Sequence, residues 1–438
     1  MATEAKTGDR RSQMSIWSVT ALGIGSMVGA GIFALLGQAA IRVGRETWLS
    51  FALAGLVATL SGYAYARLSS RYPSSGGITR FFEEAFGKRG ILSGTLSLLY
   101  LITLPITIAM VAKTFGAYAT KLFVPEGDVA IYGLFGSLIV VVLALVNSVG
   151  AGAVGRAEVG LVAIKITILA GLFFIGAYTM MSTPHHLQEH VVRSPWTLIA
   201  SVGLTFFAYA GYGMMANAAG AVANPQRTIP RAIYLAIGLV TLLYVGLAIT
   251  VLGLVPPEAL VRYADTAVAE AARPVLGNAG FAVVAVGALL ATASAINATL
   301  FAALNVGEAL ARSRQLPHAF EEHVKGRSTR GFLGGVVVVL VMVNFLSLRS
   351  IANIASATFL LSYLAVFFAA WKLAEPAKIS RSVIALGTAL MLVAICAFLV
   401  SLVPGQLLSL FLIVLAVVGC VLVELVMQLR QPRRARAT

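Results

Sequence analysis

Lys165 is the residue whose setting most needs a chemical reason. It stands in GLVAIKITILAG, well inside an apolar run. An unpaired ammonium group at that depth costs at least roughly 2.5–3.5 kcal/mol in a bilayer. Its long stem can carry the charge to the interface, or the charge can be held inside by carbonyls and hydroxyls. The depth favours the second. Burial and nearby carbonyls act in opposite senses on its proton, so a lysine held between them can load and release one. Glu158 lies two turns earlier on nearly the same face. It suits a helix-start cap more than a proton relay. Lys113, in MVAKTFGAY, sits toward the end of its run, where snorkelling is easy.

Backbone supplies the second candidate chemistry. GIGSMVGAGIF (23–33) has Gly at 23, 25, 29 and 31, and FFAYAGYGMMANAAG (206–220) has Gly at 211, 213 and 220. Each interior Gly weakens a helix by roughly 0.5–1 kcal/mol relative to Ala. Gly25 and Gly29 can form a close-packing GxxxG face. Alternatively the helices break there. Their freed N–H groups then receive a carboxylate, and their freed carbonyls receive an ammonium group or a cation. No Asp, Glu or His lies near the middle of the first, third, sixth, eighth or tenth apolar run, so acid–base catalysis has no carboxylate pair there. The cluster His185, His186, Glu189, His190 reads as a solvated loop rather than a metal site. Cys396 and Cys420 lie in apolar runs and suggest neither a disulfide framework nor zinc. No catalytic residue, metal ligand or cofactor is expected.

The elements around these residues follow from composition. Of 438 residues 59% are apolar and 11% charged, with mean hydropathy +0.91. A water-soluble core cannot hide that much apolar surface, which argues against a soluble enzyme and against disorder. A span needs roughly 20 apolar residues, and about twelve candidates appear: 16–41, 47–70, 91–122, 129–148, 157–181, 196–222, 230–255, 275–311, 331–347, 350–371, 382–402 and 405–429. Their continuous apolar character excludes a β-barrel. The first 15 residues are polar and do not read as a signal peptide. With the N-terminus inside, the cytoplasmic loops hold 23 Lys and Arg and the outer loops 7. That split places both termini in the cytoplasm and accounts for the net charge of +15 without nucleic acid. The breaks then fall in spans one and six, corresponding positions of two halves, which favours the broken-helix reading.

Four segments in order carry a resemblance. GIGSMVGAGIFALLG, ARLSSRYPSSGG (66–77), FFAYAGYG with ANPQRTIPRAI (206–233), and SAINATLFAALNVGEALARSRQLP (294–317) resemble the amino acid–polyamine–organocation transporter superfamily over about residues 14–320. The resemblance implies an all-α integral membrane protein with a leucine-transporter-like 5+5 inverted repeat and broken helices 1 and 6. Its parts would be a tail 1–15, a first repeat 16–181, a second repeat 196–371, two further helices 382–429, and a basic tail 430–438. Residue by residue, it implies that Gly29, Ala30 and Gly31 bind the substrate carboxylate. The Met27 carbonyl would take its amine. Phe207 and Ala210 would offer sixth-span carbonyls, and Phe207 an aromatic gate. Lys165 would fill a cation site with Gly25 or Val28 and Ser294.

Two departures narrow this. Cation-handling members often carry an acid where this chain has Gly213, so a neutral amino acid is expected. Arg67 stands where relatives usually have Glu, which puts any gate built on that Glu in doubt. The expectation is a sodium-independent, proton-coupled amino-acid transporter of the cell membrane. Its partners would be a small amino acid, protons and lipid. An uncoupled exchanger of the same fold, or a carrier of cationic amino acids or amines, stands as the alternative. A channel would show charged rings or filter loops, and none is visible.

Overall fold

A computed structural model describes residues 14–430 except 75, 89, 125, 127–128, 150–153, 183–185, 192, 313–314, 317–319, 321–322 and 326–327. The helices in chain order are α1 (Ile16–Ala30), α2 (Ile32–Val43), α3 (Thr47–Arg71), α4 (Ile78–Phe86), α5 (Ile91–Phe123), α6 (Val129–Val149), α7 (Val154–Ser182), α8 (Pro195–Phe206), α9 (Met214–Asn217) and α10 (Pro225–Leu254). They continue as α11 (Pro257–Arg262), α12 (Ala267–Glu270), α13 (Arg273–Arg312), α14 (Arg330–Phe345), α15 (Leu348–Lys372), α16 (Arg381–Leu402) and α17 (Leu407–Arg430). Between α13 and α14, β1 (His323–Lys325) and β2 (Ser328–Thr329) pair antiparallel as a short ribbon. Serine and threonine open several helices: the side chains of Ser15, Ser194, Thr329 and Ser347 accept amide hydrogens from the first turns of α1, α8, α14 and α15.

Ten helices among the described residues are long and apolar enough to cross a bilayer, and the bent pair α1/α2 makes eleven. The expected span at 331–347 corresponds to α14, whose 16 residues reach about 24 Å, short of a hydrocarbon core of about 30 Å. Hydropathy did not announce the short helices α4, α11 and α12, which are too brief to cross. Gly277, at φ 62, interrupts the start of α13, so the long eighth span begins after a left-handed residue that glycine accommodates without strain.

Two packed sets of helices emerge. α3 lies along α10 and α8, and α1 lies along α10. α5 lies along α13 and α6, and α7 along α13. Buried side-chain hydrogen bonds help to join the first set: Tyr209 donates to the Phe51 carbonyl at 2.9 Å, and Ser50 and Thr205 share a bond of 3.0 Å. α15 is the most enclosed span, and α17 and α7 are the most open to their surroundings. The exposed surface of α17 is Leu, Val and Phe, as a lipid solvent requires.

Candidate functional site

The first span bends by 48° between α1 and α2. Gly31 is the hinge, and its N–H still donates to the Met27 carbonyl at 3.1 Å. The break is therefore a sharp bend rather than a long unwound stretch. α2 begins at Ile32 without a side-chain cap or an acidic residue in its first turn, so no side chain answers the positive end of its dipole. The sixth span departs further from an α-helix. After α8 the backbone tightens into a 3₁₀ segment, Phe207–Gly213, before α9. Such tightening shifts the hydrogen-bond register and leaves carbonyls to be satisfied from outside the segment.

Glycine lets the two breaks touch backbone to backbone. A methyl group added at Gly31 would stand 2.5 Å from the Ala208 Cα and 2.7 Å from its carbonyl oxygen. One added at Gly211 would collide with the Met27 amide. Gly29 packs instead on α13, where a methyl would lie 2.7 Å from the Ala295 Cβ. The close-packing reading and the broken-helix reading of these glycines are thus both realised, at different positions.

Tyrosines answer the carbonyls at the breaks. The Tyr244 hydroxyl, from α10, is 2.8 Å from the Met27 carbonyl and 3.3 Å from that of Ala208. The Tyr363 hydroxyl, from α15, donates to the Ala210 carbonyl. Met27 and Ala210 were expected to offer these oxygens to a substrate amine; in this conformation tyrosines hold them. Sequence reasoning missed both residues, although a phenol inside an apolar span is a readable signal, because a buried hydroxyl seeks an acceptor.

A cavity of about 50 Å³ lies between the breaks, walled by Ser26, Tyr100, Phe207, Ala210, Phe359 and Tyr363 among others. It is far smaller than an ordinary small-molecule pocket. Phe207 meets Phe359 edge to face at 5.1 Å, and Tyr65, Tyr212 and Tyr363 stack into an aromatic cluster on the other side. Of the expected substrate residues, Phe207 and Ala210 reach this wall. Met27, Gly29 and Gly31 lie off it, against Tyr244, Ala295 and Ala208. Ala30 is the last residue of α1. Gly213 does line the cavity, and a side chain there would strike the Tyr363 hydroxyl. Among the described residues, the wall contains no Asp, Glu, Lys, Arg or His.

Lys165 lies inside the bundle. Val162, Lys165, Leu169 and Leu172 form one buried stripe of α7, whereas Ile164, Phe174, Ile175 and Tyr178 face outward. The lysine is 1% exposed, which removes the snorkelling alternative. Its Nζ donates to Ser294 Oγ at 3.0 Å and to the Gly25 carbonyl at 3.5 Å. One ammonium group so ties α7 to α13 and α1. Val28, the other expected carbonyl, is buried one turn of α1 further on. The side chain of Glu158 lies outside the described residues.

Two readings need correction. Lys113 does not snorkel: it is buried and donates to the Val343 carbonyl at 2.8 Å. The carbonyl lies near the end of α14, close enough for the stem to fold inward. The loop after α7 is not simply solvated either. His186 pairs with Glu189 at 2.8 Å, but His190 is buried, with Nε2 at 2.9 and 3.0 Å from the Leu252 and Val255 carbonyls. It caps the end of α10, whose last carbonyls lack helical partners. His185 lies outside the described residues. No group of His, Cys, Asp and Glu among the described residues could hold a metal.

Comparison with known proteins identifies the family. A family described as amino acid permease matches residues 14–426. The inner membrane transport protein YbaT of Escherichia coli is 47% identical over 407 residues, covering 92% of this chain and 93% of that protein. The serine/threonine exchanger SteT of Bacillus subtilis is 23% identical, with 84% of each chain covered. Among solved structures, a manganese transporter of Eremococcus coleocola superposes with a TM-score of 0.62 over 98% of this chain and 96% of that one. At 13% identity this last likeness concerns the fold alone.

Proposed function

Because the chain belongs to the amino acid permease family, a family of multi-pass membrane transporters, we propose that it carries neutral amino acids without sodium, by alternating access, driven by protons through Lys165. The observation that carries this reading is the Lys165 ammonium group, buried between Ser294 Oγ and the Gly25 carbonyl. A fixed cationic group in that position performs the charge balance a bound sodium ion would otherwise supply. While protonated it holds α1, α7 and α13 together; deprotonated it donates less strongly and releases them.

The substrate zwitterion would dock at the two breaks. Its carboxylate meets the amides around Gly29, Ala30, Gly31 and the uncapped start of α2. Its ammonium group displaces Tyr244 or Tyr363 from the carbonyls of Met27, Phe207 or Ala210. The absence of ionisable Asp, Glu or His on the cavity wall, and the glycine at 213, support a neutral side chain over a cationic amino acid or amine. The packing of α3, α8 and α10 with α1 supports a moving unit of spans 1, 2, 6 and 7 against α5, α7 and α13. Residues 16–181 and 196–371 would be the two inverted repeats, 382–429 an added pair, and the tails 1–15 and 430–438 cytoplasmic.

Uptake of labelled amino acids into sodium-free proteoliposomes, with and without an inside-alkaline pH gradient, tests this. Accumulation that requires the gradient is the expected result. Uptake indifferent to the gradient but dependent on preloaded amino acid would replace the reading with an exchanger, in which Lys165 is a permanent structural cation. Strong dependence on sodium would overturn both.

A further inference from the structure

A much larger cavity lies away from the central site. It measures about 970 Å³, at the top of the range of small-molecule pockets. α14 and α17 each lie along α5, and the cavity is the groove between them. Its wall includes Gly334, Gly335 and Val338 from α14, and Leu415, Gly419 and Val423 from α17. A methyl group added at Gly334, Gly335 or Gly419 would meet nothing within 4 Å, so these glycines keep the groove wide. Val338, Leu415 and Val423 are exposed, so the groove opens to the surroundings of the bundle. Among the described residues its wall carries no charged side chain, and Cys420 is the most polar group on it.

At membrane depth such a wall offers water no hydrogen bond, so hydrocarbon fills it. Size and charge choose the occupant. A spanning helix about 10 Å wide and about 30 Å long occupies roughly 2,400 Å³, more than twice the groove. Flexible acyl chains can match the space instead. The basic chain lies at one end. α14 begins and α17 ends on the side that loop charge assigns to the cytoplasm. Residues 312–330, which lead from α13 into α14, hold five Lys and Arg against Glu321 and Glu322. Arg330 opens α14 and is exposed. Arg430 ends α17, and Arg433, Arg434 and Arg436 follow it. Both walls of the groove therefore run into basic chain on the same side, where such segments attract anionic headgroups.

We propose that the groove binds an anionic phospholipid, with its acyl chains between α14 and α17 and its phosphate at the basic end. Transfer from the bilayer gains no hydrophobic energy, so selectivity rests on the headgroup and the shape of the groove. The bound lipid backs the wall of the central cavity. α5 presents Tyr100, Leu104 and Thr107 to that cavity, and Leu101, Ile102 and Pro105 to the groove. α13 likewise presents Ala298 and Thr299 to one, and Leu300 and Ala303 to the other. Pro105 removes a backbone donor inside α5 at this level. Chains packed against it supply contacts that an unfilled groove would lack. The site stands independently of the proton-coupled reading above, because it rests on none of the residues invoked there.

The test is native mass spectrometry of the purified full-length protein in detergent, titrated with dioleoyl phosphatidylglycerol or dioleoyl phosphatidylcholine. Saturable retention of phosphatidylglycerol, about fivefold tighter than phosphatidylcholine, is expected. Gly335→Leu and Gly419→Leu should each fill part of the groove and weaken retention about tenfold. Leucine suits a helix better than glycine, and both positions are open, so the melting temperature should hold. Gly171→Leu on α7, also open but outside the wall, is the control. Arg330→Gln should lower the preference for phosphatidylglycerol about threefold to fivefold and leave phosphatidylcholine unchanged. Should a groove variant fail to fold, the other and Arg330→Gln carry the test. Equal retention of the two lipids overturns the proposal. So does retention untouched by the folded groove variants, or lost equally in Gly171→Leu. A dimer that the groove variants dissociate would assign the groove to a second copy and overturn it as well.

Discussion

Two lysines lie inside spans, and both end on a backbone carbonyl, but their surroundings give them opposite characters. Lys165 occupies an apolar stripe, and the Ser294 hydroxyl and the Gly25 carbonyl on two other helices are among its partners. Lys113 donates to the Val343 carbonyl and lines a polar cavity whose wall also holds Arg42, Lys121 and Asp265. Depth in the membrane does not by itself assign a lysine its role. A charge that bridges three helices depends on their staying within about 3 Å of it, and under the proposed transport reading its proton is coupled to their motion. A charge among other charges near a carboxylate is fixed by the field of the whole cluster and has no such dependence.

The largest expected effect separates the two. Lys165→Ala should cut proton-driven uptake at least about thirty-fold, equivalent to ~2 kcal/mol, and remove the dependence on a pH gradient. Lys113→Ala should leave that dependence in place. Equal pH responses in both variants would dissolve the distinction. Next comes the backbone contact between the two breaks. Gly31→Ala should destabilise the protein by about 1–3 kcal/mol, lowering its melting temperature in detergent, since Ala208 cannot give way without moving the sixth span. Gly171→Ala, with open space around it, is the control and should change nothing. Smaller still, Ser294→Ala removes the 3.0 Å acceptor from Lys165 and should shift the pH at half-maximal uptake while lowering the rate about fivefold to tenfold. Ser294→Thr should restore most of it. The smallest change is expected from Tyr244→Phe. Met27 loses its 2.8 Å donor, which should alter substrate affinity by about threefold and leave the pH profile unmoved. A changed pH profile there would mean that the α1 break and Lys165 act as one unit.

How much of this could be read from the chain varies with the range of the interaction. The spans were legible because bilayer thickness fixes their length, whatever packs beside them. α14 departs, at 16 residues. The breaks were legible because glycines at 23, 25, 29, 31, 211 and 213 have no ordinary reason to cluster in apolar helices. Lys165 was legible because its charge contradicts its neighbours. The small helices α4, α11 and α12 were not, since short segments carry no clear period. The Lys113 side chain was misread because its position near the end of a span left both directions open to its stem.

The sequence by itself determined that this protein lives in a bilayer, where its helices bend, and that the amine of Lys165 needs partners among them. Each of those follows from local composition and from the cost of exposing polar groups to lipid. Tertiary structure alone decided who holds the carbonyls at the breaks and what surrounds each charge. Tyr244 lies 217 residues from Met27, and Lys113 lies 230 from Val343. Nothing in the local chain encodes such a meeting. It arises when two sets of helices pack and every buried donor must find an acceptor.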